Sequence, residues 1–352
     1  MKSMIGLAFV SGLALAVAAC SPAAPETEAK PAAEAAPEAK ITGVERLDPA
    51  IDAIIKPGEL PVMVASGFRF VEGPLWVGDR LRFSDLMDNK LYELADGGEA
   101  KLIMDKSGGL DEMAPDSFQG SNGSIVDKDG SILMTQHGAR RIVRLDDQMK
   151  LSVYLDKANG KRLNSPSDLA FTPDGALWFT DPPYGLVGQD KDPAKEQPFN
   201  AVWRHAGGKT TAVITDLPRP NGIGFSGDGK KLYISNSEPE MFVNVYDVNE
   251  DGTVSKGRRF ITFPSPNPVD VPDGLEVDSA GNVWASGPGG IRIISPDGKV
   301  LGQIKTPDRA QANMIWGGAD LKTLFIMAAG NVYKMRTEVA GLTPLYAKSP
   351  VK

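Results

Sequence analysis

The chain has 352 residues, 41% of them hydrophobic, enough to bury a large core. A formal net charge of -7 argues against nucleic-acid binding, because a phosphate backbone calls for a basic surface. Cys20 is the only cysteine, so no disulfide can form within the chain and no thiolate metal site of the usual kind is available.

Residues 1–19 read as a lipoprotein signal peptide. Met1-Lys2 is followed by an apolar stretch from Ile5 to Ala19, too short to span a bilayer comfortably. It ends in Val17-Ala18-Ala19-Cys20, which resembles a lipobox, with Cys20 as the lipidated first residue of the mature chain. Ser21, rather than Asp, at the next position points to the outer membrane. Residues 20–57 are expected to be the lipidated cysteine and a disordered Ala/Pro/Glu-rich tether. No other segment is long and apolar enough to be a transmembrane helix.

Residues 58–352 show short apolar runs separated by Gly, Pro, Asn and Asp clusters, the pattern of many short strands and tight turns. One hairpin-like unit recurs, starting at Glu72, Asn122, Asn164, Asn221, Asp273 and Asn313. Each unit has a polar residue, an apolar strand, a turn and a second apolar strand. Most add a third strand such as "KLYEL" or "IRIISP". Separations of 50, 42, 57, 52 and 40 residues predict an all-β fold, a six-bladed β-propeller with four-stranded blades. A sandwich or two separate β domains would not explain six polar-headed hairpins. The segments around "VMVASGF" and "GLTPLYA" are expected to complete the first and last blades.

The first strand of each propeller blade lines the central channel, so the six leading residues should meet at one mouth. Asn-Gly and Asp-Gly are common turn dipeptides, but here they precede strands, and Glu72 is a poor turn former. Two carboxylates with neutral carboxamides suit a hard divalent cation held by oxygen: calcium first, with magnesium, manganese or zinc as alternatives. Second-strand ends bring Asp85, His137, Asp181 and Asn236 back to the same mouth. His137 is either a substrate contact or proton shuttle, or a hydrogen-bonded structural histidine. His205 should lie away from the channel, and Trp76, Trp178, Phe179 and Trp284 should be core. No G-x-S-x-G nucleophile elbow occurs, which disfavours a serine hydrolase.

The motifs "FRFVEGPLW", "KRLNSPSD", "WFTDPPYG", "RPNGIGFSGDGKKLYISNS" and "VPDGLEV" resemble the senescence-marker-protein, regucalcin and gluconolactonase family, the bacterial gluconolactonase branch in particular. The resemblance runs from about Phe68 to Tyr333. It implies a six-bladed propeller with one divalent cation at the channel mouth. Carried over by position, Glu72, Asn164, Asn221 and Asp273 would be metal ligands, and Asp273 would double as the acid–base group, with His137 as a second catalytic candidate. Arg162, Asn164, Asn122 and Asp181 would face substrate. Ser167 stands where a second Asn is expected, and Gln136 where Glu is usual.

The expected function is hydrolysis of a sugar lactone to the aldonic acid, at the periplasmic side of a bacterial envelope. Apart from the lipid on Cys20, no membrane contact, nucleic acid or obligate protein partner is expected. The alternatives are a non-catalytic envelope scaffold with a structural calcium, and another ester or organophosphate hydrolase on the same fold.

Overall fold

The computed structural model describes residues 42–264 and 270–346. The expected signal peptide, the lipidated Cys20 and the tether as far as residue 41 lie outside these residues. The described chain is an all-β, six-bladed propeller built of antiparallel sheets. Blade 1 takes Val71–Val77, Arg80–Asp85, Lys90–Ala95 and Lys101–Asp105 from the channel outward. Blade 2 takes Ser121–Val126, Ile132–Gln136, Arg141–Leu145 and Leu151–Leu155. Blade 3 takes Leu169–Phe171, Leu177–Asp181, Ala201–Ala206 and Lys209–Ile214. Blade 4 takes Pro220–Phe225, Lys231–Asn236, Phe242–Asp247 and Arg258–Thr262. Blade 5 takes Leu275–Val277, Val283–Ala285, Ile291–Ile294 and Val300–Lys305. Blade 6 takes Gln311–Gly317, Thr323–Ala328, Asn331–Arg336 and, from the other end of the fold, Val62–Ser66.

The sequence differs from inside to outside for a physical reason. Inner strands are packed on both faces, and Pro220–Phe225 is buried at every position. Outer strands meet water, and charged ends such as Lys101 and Asp105 blunt their free edge. Between each pair of neighbouring blades sits one wedge of apolar side chains. Aromatic pairs anchor three of them: Trp284 edge-on to Trp316 at 5.0 Å, Trp178 edge-on to Phe225 at 5.5 Å, and Trp76 stacked on Phe325 at 5.4 Å. Trp178, Phe179 and Trp284 are fully buried, as expected of core residues.

Two boundary expectations are corrected. The tether does not reach residue 57: Gly43–Arg46 pairs with Val300–Lys305 as a fifth strand of blade 5. A 3-10 turn, Pro49–Ala53, is capped by Asp48 and delivers Ile51 and Ile55 into the wedge between blades 5 and 6. These isoleucines supply the apolar area that the Ala/Pro/Glu composition upstream lacks. The "GLTPLYA" tail does not complete a blade either. Val62–Ser66 already occupies the outer edge of blade 6, so the tail has no edge to join. Gly341 instead bridges to Asp278, and Leu342–Tyr346 borders the lower end of the channel. Among the described residues, no helix is long and apolar enough to cross a membrane.

Candidate active site

The backbone itself defines the ring at the channel mouth. A hydroxyl on the second strand of blades 2, 3 and 4 donates to the carbonyl of the leading residue in the next blade: Thr135 to Ser167 at 3.0 Å, Thr180 to Asn221 at 2.6 Å, Ser235 to Asp273 at 2.6 Å. Inner strands are also linked directly, Gly123 N–H to Ser167 O and Gly222 N–H to Asp273 O, both at 3.0 Å. The equivalent positions are therefore Glu72, Asn122, Ser167, Asn221, Asp273 and, in blade 6, Ala312, whose carbonyl accepts from Ser286 Oγ and Gly274 N–H; Asn313 lies one residue later, on the position of Asp168 and the glycines. This also explains the glycines that follow Glu72, Asn122, Asn221 and Asp273. A Cβ on Gly73, Gly123, Gly222 or Gly274 would lie within 3.0 Å of the next blade's atoms. Close approach of blades, rather than turn chemistry, selects glycine there.

Glu72 is buried, and its Oε2 accepts from Gly73 N–H at 2.5 Å and from Asn313 Nδ2 at 3.0 Å. Burial nevertheless pushes its carboxyl up to about 7, with Asp168 adding repulsion. Asp273 is pushed well above the usual carboxylate range by burial, then by the charges of Glu72 and Asp168, against a lowering contact from Asn221. Asp168 is raised to about 7 and Glu276 to about 8, burial dominating both. No lysine or arginine draws any of these four back down. A cavity of about 530 Å³ runs below the ring, lined by Asp168, Glu276, Asn313 and Trp316 among others.

Asn164 and Asp181 do meet, and the Asn164 Oδ1 beside them is buried without a hydrogen-bond partner. Asn164 lies three residues before the ring position, which falls to Ser167. Its Nδ2 faces Asp181 O, Phe199 O and Asn200 Oδ1, all within 3.0–3.1 Å. The Asp181 carboxylate accepts from Asn164 N–H, Ser165 N–H and Trp203 Nε1 at 2.9, 2.8 and 3.2 Å. Asp85 and Asn236 do the same for Arg69 and Phe70, and for Arg219. The residue ending each of these second strands thus pins the segment leading into the ring. Asp181→Asn would aim an NH2 group at N–H donors, and is expected to cost about 1–3 kcal/mol in thermal or denaturant unfolding. A raised KM for lactone with unchanged stability would instead restore Asp181 to the substrate-facing set.

Arg162 sits in a two-stranded ribbon outside the blades (Lys157–Ala158 with Lys161–Arg162). Its backbone N–H donates to Glu196 and its Nη2 to Ala139 O at 2.9 Å, and neither partner is a ring residue. Gln136 is fully buried between Ser107 O and Arg141. His205 lies on the outer part of blade 3 against Thr210 and Tyr154, as expected. Asn122 and His137 are in contact on the rim, with Nδ2 to Nε2 at 3.1 Å.

Sequence reasoning missed Asp168, Glu276, Ser237 and Tyr184. Asp168 takes the position that four other blades fill with glycine, and the signal was present once "SD" is aligned with "NG" rather than "NS". Glu276 interrupts an inner strand otherwise apolar. Tyr184, in the quoted "DPPYG", reaches across to Ser237 and the neighbourhood of Asp273, a link between blades that no local pattern encodes.

Among the described residues, no three His, Cys, Asp or Glu side chains gather as a metal cluster. The donor set is of another kind, two carboxylates among carboxamides. Glu72 and Asp273 face one another in low dielectric with no protein cation between them. That repulsion fits a dication with oxygen preference.

The fold and this rim match a known group of proteins. The SMP-30/gluconolactonase/LRE-like family model covers residues 70–330, and the chain belongs to that family. A gluconolactonase from Zymomonas mobilis is 36% identical over 85% of this chain and 87% of its own length. Pentonolactonase XacC from Haloferax volcanii is 27% identical over 76% of this chain and 84% of its own. The structure of a gluconolactonase from Xanthomonas campestris superposes with a TM-score of 0.73 at 27% identity, covering 84% of this chain and 94% of that one. At the level of the family, the chain is a lactonase-type hydrolase.

Proposed function

We propose that the protein hydrolyses a sugar lactone of the glucono-1,5-lactone type to its aldonic acid, at the channel mouth and with a divalent cation. The observation that carries this reading is the pair Glu72, buried, and Asp273, half-buried, carboxylates that repel one another within a rim rich in amides. Glu72, Asn221 and Asp273 would hold the cation, calcium foremost because every donor is oxygen. Asn164, whose amide nitrogen is held by Asp181 O and Asn200 while its buried Oδ1 has no partner, would be a fourth oxygen donor to the cation or to substrate. When bound, such a cation supplies Lewis-acid polarisation of the lactone carbonyl and a lowered pKa for water.

The protein's own part is proton movement and orientation. Asp273 takes the proton of the attacking water as its oxygen adds to the carbonyl carbon. The ring C–O bond then breaks, and the same carboxyl returns the proton to the departing ring oxygen. Asn122 and Ser167, on the adjoining arc of the rim, are placed to meet the sugar hydroxyls. Relatives whose names specify gluconolactone and pentonolactone share sugar lactones as substrate class. The signal and lipobox at the N-terminus would set this site in the periplasm, on a tether from the outer membrane.

The test is turnover by the purified protein on a panel of sugar lactones, aliphatic lactones and a phosphotriester, followed with a pH indicator. Sugar lactones are expected to react, chelator to stop the reaction, and added calcium to restore it. A folded protein inert toward every lactone would overturn the proposal in favour of a scaffold.

A further inference from the structure

Two rim residues occupy the same place in alternate blades, one step beyond the second strand: His137 after Gln136, and Ser237 after Asn236. Both are buried. Each touches the ring amide of its own blade through the amide nitrogen: Asn122 Nδ2 to His137 Nε2 and Asn221 Nδ2 to Ser237 Oγ, both at 3.1 Å. In blades 1, 3 and 6 the corresponding residues are Leu86, Pro182 and Ala329, which cannot make this contact, and in blade 5 Ser286 binds backbone instead, accepting from Asp273 N–H and donating to Ala312 O.

The donors leave only one arrangement. His137 Nδ1 lies 3.1 Å from Phe118 O. A carbonyl only accepts, so Nδ1 carries the hydrogen and Nε2 presents a lone pair. Ser237 has one hydroxyl hydrogen, which goes to Pro272 O at 2.7 Å. Toward Asn221 Nδ2 its oxygen therefore accepts, with Tyr184 as a further neighbour. Between the two, Ser167 Oγ lies 3.4 Å from Asn122 Nδ2 and donates to Asn221 Oδ1 at 3.1 Å. The network runs from Asn122 toward both His137 and Ser167, and from Asn221 toward Ser237 and the Asp273 carboxylate. Backbone carbonyls fix both ends.

We propose that His137 and Ser237 are positioning residues that fix the orientation of the Asn122 and Asn221 carboxamides, each by accepting from the amide nitrogen. His137 on this reading is a permanent acceptor and takes no part in proton transfer. The inference rests on the cation site proposed above, since Asn221 is one of the residues that would hold that cation. Partners that orient a ligand typically govern metal affinity by one to two orders of magnitude.

Two measurements test it. The protein has two histidines, so nitrogen NMR with a His205→Gln variant for assignment isolates His137. A neutral ring protonated at Nδ1 from pH 5.5 to 8 is expected; a ring that titrates in this range, or is protonated at Nε2, would overturn the assignment for His137. Calcium affinity is read by calorimetry and by thermal shift, independently of turnover. Ser237→Ala is expected to raise the calcium dissociation constant roughly tenfold, and Ser237→Thr, which keeps the acceptor, to restore it within about threefold. Equal affinity in Ser237→Ala and the parent would overturn the role of Ser237. Absence of calcium binding in the parent would instead remove the cation site itself, while the NMR result would still decide His137.

Discussion

Asp273→Asn is expected to lower kcat by roughly 10²–10⁴-fold, the usual contribution of a positioned acid–base group. The variant should fold, because asparagine is nearly the same size and removes a charge that Glu72 and Asp168 oppose. Its backbone anchors, the N–H on Ser286 and the carbonyl held by Ser235, do not involve the side chain. Glu72→Gln separates cation binding from base chemistry. Glu72 shares the buried acidic site but has no assigned proton to move, so the rate lost in this variant should return as calcium is raised about 10–100-fold. The rate lost in Asp273→Asn should not return. If Asp273→Asn keeps kcat within about threefold of the parent, the carboxylate is not the base. If calcium rescues both variants equally, Asp273 acts only as a ligand.

The ring of blades was legible because each blade repeats one physical solution. A short apolar strand with a polar head, packed on both faces, leaves a period that survives large changes in loop length. The ring residues Glu72, Asn122, Asn221 and Asp273 were legible for the same reason: glycine must follow them where blades touch, and "EG", "NG" and "DG" mark the spot, whereas in blade 6 the ring position is Ala312 and Asn313 stands one residue past it. Blade 3 lacks that glycine. Asp168 stands in its place, so the register slid to the nearest asparagine, Asn164, three residues early. Its partner Asp181 then looked like a ligand because a carboxylate serving backbone N–H groups and one facing a channel carry the same letter. Arg162 was placed by likeness alone, and its hydrogen bond to Ala139 O shows why a single exposed-looking arginine says little about direction. The fold of residues 43–57 was hidden by composition. A few isoleucines after a long Ala/Pro/Glu stretch matter only once there is a groove between blades to receive them.

Removal of divalent cations should make stability fall by a few kcal/mol between pH 6.5 and 8.5. Glu72 and Asp168 are raised to about 7 and Glu276 to about 8, so the folded protein holds protons that the unfolded chain has already released. For carboxylates raised in this way, the stabilising contribution is complete below the ordinary carboxylate range and is lost as pH climbs through the folded values. His137 has the opposite sign. Burial depresses it to about 4, so it favours folding above its unfolded value near 6.5 and loses that contribution as pH falls. Above pH 6.5 it is neutral in both states, and the window isolates the acids. A dication between Glu72 and Asp273 replaces the protons those groups would otherwise need. Calcium at about 100 times its dissociation constant should add about 2.7 kcal/mol at a given pH. At fixed calcium the gain should be larger at pH 8.5 than at 6.5, because protons compete for the same oxygens. Glu276→Gln should remove part of the chelated protein's pH slope without altering calcium affinity, since Glu276 lies below the ring. Thermal unfolding in chelator and in calcium, at both pH values, measures all of these. A flat profile in chelator, or an equal calcium increment at the two pH values, would show that the acids at the mouth are neutralised by something other than a bound cation.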